Sequence, residues 1–147
     1  MSLGEAAASE AFTVVATDYE VGGQAPPPRL RVVQTAQLAQ AGLTYTDLLA
    51  ACDVVVTKLG YGIVSECIAN GVALLYALRG RFIEQDVFMR EMPGRLRCRQ
   101  IAVDDLRAGR WDADVAALLA QGAPGRSSSV DGADVVARRL LACAQSR

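Results

Sequence analysis

Short aliphatic runs alternate along this chain with stretches whose apolar positions recur every three to four residues, and the two periods predict strands and helices in turn. Phe12 to Thr17 (FTVVAT) and Leu30 to Val33 (LRVV) are β-branched runs that read as strands, separated by a Gly22 to Pro28 loop (GGQAPPP) that fits neither helix nor central strand. Tyr45 to Cys52 reads as a short helix with Thr44 or Thr46 as its N-cap. Asp53 to Thr57 (DVVVT) has an apolar centre without alternation, which suits a strand covered on both faces. Gly60 to Asn70 follows as a helix stopped by Gly71, and Val72 to Ala77 (VALLYA) as the next buried strand. Ile83 to Met92 is predicted helical, ended by Pro93-Gly94, and Leu96 to Val103 strand-like. Two helices close the chain, Asp112 to Ala120 and, after a Gly122 to Ser129 loop, Asp131 to Gln145 with Asp131 as its cap.

Strands and helices joined in this order by short connections predict an α/β fold of the Rossmann-like kind. Its parallel sheet has right-handed crossovers and carries helices on both faces. Ligands of such sheets bind at the carboxyl ends of the strands, which directs attention to the loops after Thr57 and Ala77. At 147 residues the chain has the size of one domain; residues 1–11 read as a frayed lead-in and 12–147 as the domain, with Met1-Ser2-Leu3 resembling an expression leader.

Composition narrows the function. With 52% hydrophobic, 5% aromatic and 21% charged residues, the core is aliphatic and the chain globular. A net charge of −1 with interleaved signs supplies no basic field for nucleic acid, and no apolar run approaches the roughly 20 residues that span a bilayer. The chain has no histidine, so neither Ser-His nor Cys-His catalysis is available within it. The cysteines (Cys52, Cys67, Cys98 and Cys143) are scattered in apolar surroundings without a CxxC, and read as buried free thiols of a cytoplasmic protein with no zinc site.

The segment Thr57 to Glu66 (TKLGYGIVSE) joins a strand to a helix through Gly60, Tyr61 and Gly62. Glycine allows a tight turn and leaves no Cβ in the way of an anion, while the first N–H groups of the helix point outward into its positive end. A pyrophosphate suits that arrangement, with Lys58 as a counter-charge; a ligand-free tight turn with a solvated lysine fits the same residues. Glu66 lies about one turn past Gly62 and can offer a carboxylate to the vicinal diol of a ribose; otherwise it is an exposed helical glutamate. At the next strand end, Arg79 to Gln85 is a second polar loop, whose Glu84 and Gln85 suit sugar hydroxyls or a helix's first turn. The run from Gly60 to Ser65 also approaches the dinucleotide fingerprint G-x-G-x-x-[G/A], with Ser65 in the third place. The acidic residue expected after the next strand is missing, however: Tyr76 to Arg79 holds none, and only Arg79 hints at an NADP-like variant.

Together, C-D-V-V-V-T-K-x-G-Y-G-I-V-S-E-C-I-A-N-G and L-L-Y-x-x-R-G-R-F-x-E resemble the carboxyl-terminal domain of GT-B glycosyltransferases. The chain is similar to the group of the lipid II N-acetylglucosaminyltransferase and the UDP-glycosyltransferases, and to the glycosyltransferase-like domains fused to arabinokinase-type sugar kinases. The likeness covers about Thr44 to Trp111. It implies a nucleoside-diphosphate sugar as substrate, a UDP-sugar by that likeness, with no further cofactor and no metal. It puts the diphosphate at Lys58, Gly60, Tyr61, Gly62 and Ser65, the ribose at Glu66, and the donor sugar at Arg79, Glu84 and Gln85. Leu59 stands where related sequences carry proline, a departure expected to loosen the turn. The first βα unit of such domains is not recognisable before Phe12, and the amino-terminal acceptor domain, which usually supplies the catalytic base, is absent from the sequence. The chain alone is therefore expected to bind nucleotide weakly and to catalyse nothing, and a sheet edge left bare by the missing unit would favour a homodimer. The rival readings are a non-catalytic assembly or nucleotide-sensing module and an NAD(P)-binding domain.

Overall fold

The computed structural model describes residues 11–18, 28–78, 80, 83–125 and 129–145. Val14–Thr17 (β1) pairs in parallel with Leu30–Val33 (β2). Thr35–Gln40 (α1) and Tyr45–Ala50 (α2) lead to Val54–Lys58 (β3), Tyr61–Asn70 (α3) and Ala73–Ala77 (β4). Gln85–Glu91 (α4) runs into a 3-10 turn at Met92–Gly94, followed by Cys98–Gln100 (β5), Val103–Arg107 (α5), Asp112–Leu119 (α6) and Gly132–Gln145 (α7). The fold is α/β with parallel strands throughout, in two sheets of order β1-β2 and β3-β4-β5.

The centre of the molecule is β4, all five of whose residues are buried. Side chains of a strand alternate between faces, and β4 divides its own accordingly. Ala73, Leu75 and Ala77 join Leu106 of α5 and Trp111, Val115 and Leu118 around α6. Leu74 and Tyr76 pack on the other side with Val64 and Cys67 of α3, Met92 and Leu96. Helices thus cover both faces of the larger sheet, as its aliphatic runs predict. The DVVVT run is covered on both faces too, Val54 and Val56 packing on the first cluster and Val55 on the second, yet Val54 to Thr57 are only half-buried where β4 is fully buried. The reason is lateral. One edge of β3 is laddered to β4, while the other faces β1 across a cleft of about 870 Å³ and pairs with no strand among the described residues.

The element boundaries have local causes, and the end of the last strand differs from the sequence reading. Thr44, and not Thr46, caps α2: its hydroxyl accepts from the Asp47 N–H (3.3 Å), while its own N–H donates to the Asp47 carboxylate (2.7 Å), a reciprocal capping box. Gly71 ends α3 in the left-handed region (φ 68°), and the Val72 N–H closes back on the Cys67 carbonyl at 3.0 Å. The last strand is three residues long, because Val103 opens α5 with Asp104 and Asp105 in its first turn. The Asp131 carbonyl accepts from the Val135 N–H (3.0 Å), the first bond of α7. Most of the Gly22 to Pro28 loop, the lead-in before Ala11 and part of the Gly122 to Ser129 loop lie outside the described residues. No described helix is long and apolar enough to cross a membrane.

Candidate functional site

Register places the two candidate loops side by side. Lys58, the last residue of β3, pairs with Ala77, the last of β4, so the chain leaves both strands at the same end of the sheet. Leu59, the next residue, is 0% exposed and its N–H donates to the Ala77 carbonyl at 3.0 Å. A proline there could not make that bond. Leucine in this position therefore ties the turn to β4, and the expected loosening does not occur.

Gly60 is the N-cap of α3, with its carbonyl accepting from the Val64 N–H (3.2 Å) and no side chain capping the helix. The N–H groups of Tyr61, Gly62 and Ile63 have no intrahelical acceptor, as at any helix start. A Cβ placed on Gly60 or Gly62 would meet nothing within 4 Å among the described residues, so the side-chain positions beside these amides are uncrowded. The backbone at Gly60 (φ −169°, ψ 158°) is ordinary extended chain. Glycine is not needed there for the turn; what it contributes is access.

Around this helix end the side chains separate into two groups. Tyr61 is 60% exposed and its ring meets Phe88 of α4 edge-to-face, centroids 4.6 Å apart, which links the start of α3 to the helix after β4. Lys58 and Ser65 are exposed, and among the described residues no ion pair engages Lys58. Gly80, at φ 98°, lies in the left-handed region that favours glycine. Glu84, half-buried, occupies the N-cap of α4 without bonding it through its side chain. Gln85, also half-buried, has its Oε1 shielded from solvent with no hydrogen-bond partner among the described residues. Such a group costs about 1–3 kcal/mol when left unpaired, which makes it a ready acceptor for a ligand hydroxyl. Arg79 lies outside the described residues.

Glu66 belongs to the second group. Half-buried on α3, it is near enough to Tyr45 at the start of α2 for its charge to be felt there. The Tyr45 phenol is pushed above its ordinary pKa, first by burial and then by the Cys67, Cys52 and Glu66 charges. No hydrogen bond or ion pair among the described residues joins Glu66 to Glu84 or Gln85. The structure therefore gathers Lys58, Gly60 to Gly62, Glu84 and Gln85 at one sheet end and sets Glu66 one helical turn away, toward α2. Tyr45 and Phe88 were not singled out in the sequence; a capped aromatic helix start and the apolar spacing of α4 were the available signals. The 870 Å³ cleft lies on the opposite edge of β3 and is not lined by Gly60, Tyr61 or Gly62.

The cysteines are free thiols, but their surroundings differ. Cys67 is buried and its thiol is pushed up to about 12, chiefly by burial and then by the Glu66 charge. Burial also raises Cys52 and Cys98. Cys143, on α7, is exposed, against the expectation that all four are buried.

Comparison of the chain with protein-family models, with curated proteins and with solved structures gave no match.

Proposed function

We propose that the chain is the donor-binding domain of a GT-B-type glycosyltransferase and holds a nucleoside-diphosphate sugar, a UDP-sugar, at the carboxyl ends of β3 and β4. The observation that carries this reading is the start of α3, whose first N–H groups have no side-chain cap and lie beside the uncrowded Gly60 and Gly62. Those amides and Lys58 hold the diphosphate, with Tyr61 and Ser65 at its rim. Glu66 accepts the ribose hydroxyls beside Tyr45, and Glu84, Gln85 and Arg79 take the hydroxyls of the sugar. In the parent reaction a hexosyl group passes to an acceptor hydroxyl, and the helix end stabilises the departing diphosphate through fixed dipoles. The base that deprotonates the acceptor comes from the other half of such an enzyme, and the described residues serve donor binding. The protein acts in the cytoplasm.

A second reading, a non-catalytic module built for assembly, is favoured by the strand edges along the cleft, which pair with no strand among the described residues. Amide chemical shifts distinguish the two during a UDP titration. Donor binding moves Tyr61, Gly62 and Ile63 together with Gln85, in a saturable way. An assembly module leaves these amides unmoved.

A further inference from the structure

Besides the sheet, one side-chain contact joins the two candidate loops. Tyr61 opens α3, and its backbone N–H is among the first donors of that helix, which have no intrahelical acceptor. Its ring, 60% exposed, meets the Phe88 ring edge-to-face with centroids 4.6 Å apart. Phe88 stands one turn into α4, where its N–H donates to the Glu84 carbonyl at 3.0 Å. That bond ties the Phe88 ring to the start of α4, where Glu84 and Gln85 stand.

The helix at the far end of this path is lightly held. None of the residues of α4 is buried, and Val87 and Met89 are exposed. Phe88, half-buried, packs against the core cluster of Leu59, Val64 and Met92. The bond from the Leu59 N–H to the Ala77 carbonyl fixes the strand ends and reaches no residue of α4. Helix ends fray, and a short helix with little buried surface opens locally at small cost. An aromatic pair contributes enough beyond its buried area to shift an equilibrium about two- to tenfold, which has weight in so slight a balance.

We infer that the Tyr61–Phe88 pair couples the two halves of the donor site, so that a diphosphate at the start of α3 orders Glu84 and Gln85 for the glycosyl group. An anion that accepts from the Tyr61 N–H fixes the first turn of α3 and the Tyr61 ring with it. The ring steadies Phe88, and the bond from Phe88 to Glu84 carries that order to the start of α4. Phe88 touches no ligand in this scheme and is a positioning residue. The inference rests on the donor-site reading. It supplies a reason for Gln85 to respond to UDP, which carries no glycosyl group to meet it.

Amide chemical shifts of the full 147-residue chain, followed through a UDP titration, test it with two variants. Phe88→Leu keeps an apolar side chain against the core but has no ring, and Phe88→Tyr keeps the ring. In the wild type, Tyr61, Gly62, Ile63 and Gln85 shift and saturate together. In Phe88→Leu the α3 amides still shift, with a UDP dissociation constant within about twofold of the wild type, while the Gln85 shift falls by about twofold or more. Phe88→Tyr restores it. Should Phe88→Leu not fold, Tyr61→Leu removes the other ring at an exposed position, and the same selective loss at Gln85 is expected at saturating UDP. Equal losses at α3 and at Gln85 make Phe88 a packing residue and overturn the inference. A Gln85 shift undiminished in the ringless variants overturns it too, as does a wild type whose α3 amides shift without Gln85. Those outcomes leave the donor site standing, whereas α3 amides unmoved by UDP overturn the donor-site reading and the coupling with it.

Discussion

Gly60 and Gly71 bracket the same helix and have opposite tasks, which substitution separates. Gly71 sits at φ 68°, where an L-residue is strained by about 1–2 kcal/mol. Because an added Cβ would touch nothing there, Gly71→Ala lowers stability by that strain alone, seen as a reduced urea midpoint at unchanged slope. Gly60 is extended and unstrained. Gly60→Asp supplies a cap that glycine lacks, so stability holds or rises by about 0.3 kcal/mol. Its carboxylate occupies the same amides a diphosphate needs, and nucleotide binding is lost in a titration of the folded variant. Cys67 makes a third residue-level prediction, with a sign. Its folded pKa of about 12 exceeds the ordinary thiol value of 9.0, so the folded state retains a proton that the unfolded state releases. The contribution is intact below pH 9 and is lost as pH rises toward 12, at about 1.4 kcal/mol per pH unit within that window. Cys67→Ala flattens the alkaline limb of a stability–pH curve.

Among the elements, β4 and α3 were legible because their signals agree at every level. An uninterrupted apolar run followed two faces of core, and a glycine stop coincided with a left-handed φ. Truncating the centre of that core, Leu75→Ala, is expected to cost about 2–5 kcal/mol in a denaturant titration, since Leu75 is 0% exposed. What stayed hidden was weak in period or decided by distant partners. The six residues of α1 bury none of their side chains, so Thr35 to Gln40 carries no apolar stripe. The last strand reads as running to Val103 because Ile101 and Val103 look β-forming, while the ladder to β4 ends at Gln100, and the rest of α5 has no counterpart in the sequence reading. The half-burial of β3 depends on what lies beside it in space, which no pattern within the strand records. In the site, the glycine loop was readable from residue type and spacing. The Tyr61–Phe88 contact, the orphaned Gln85 Oε1 and the nearness of Glu66 to Tyr45 arise from helix packing, and the sequence order does not announce them.

For the whole molecule, two regions of β3 are set apart along one strand. Its carboxyl end, with Lys58 and Gly60, adjoins the proposed donor site, and its edge away from β4 lines the cleft of about 870 Å³. A ligand that binds only the folded chain raises the melting temperature by mass action, so occupancy of either region registers as stabilisation. The amphipathic α7 buries none of its residues, with Val136, Leu140 and Leu141 exposed, and contributes little to the core. The central claim is that the start of α3 and Glu66 together hold a nucleoside diphosphate. Calorimetric titration of UDP, GDP and ADP into the folded chain, repeated with Glu66→Ala, tests it most directly. The account predicts saturable binding of UDP with a dissociation constant on the order of 1 mM or tighter, weakened about tenfold or more by Glu66→Ala. Absence of heat and of thermal stabilisation from all three nucleotides at about 10 mM, in a chain shown to be folded, contradicts it.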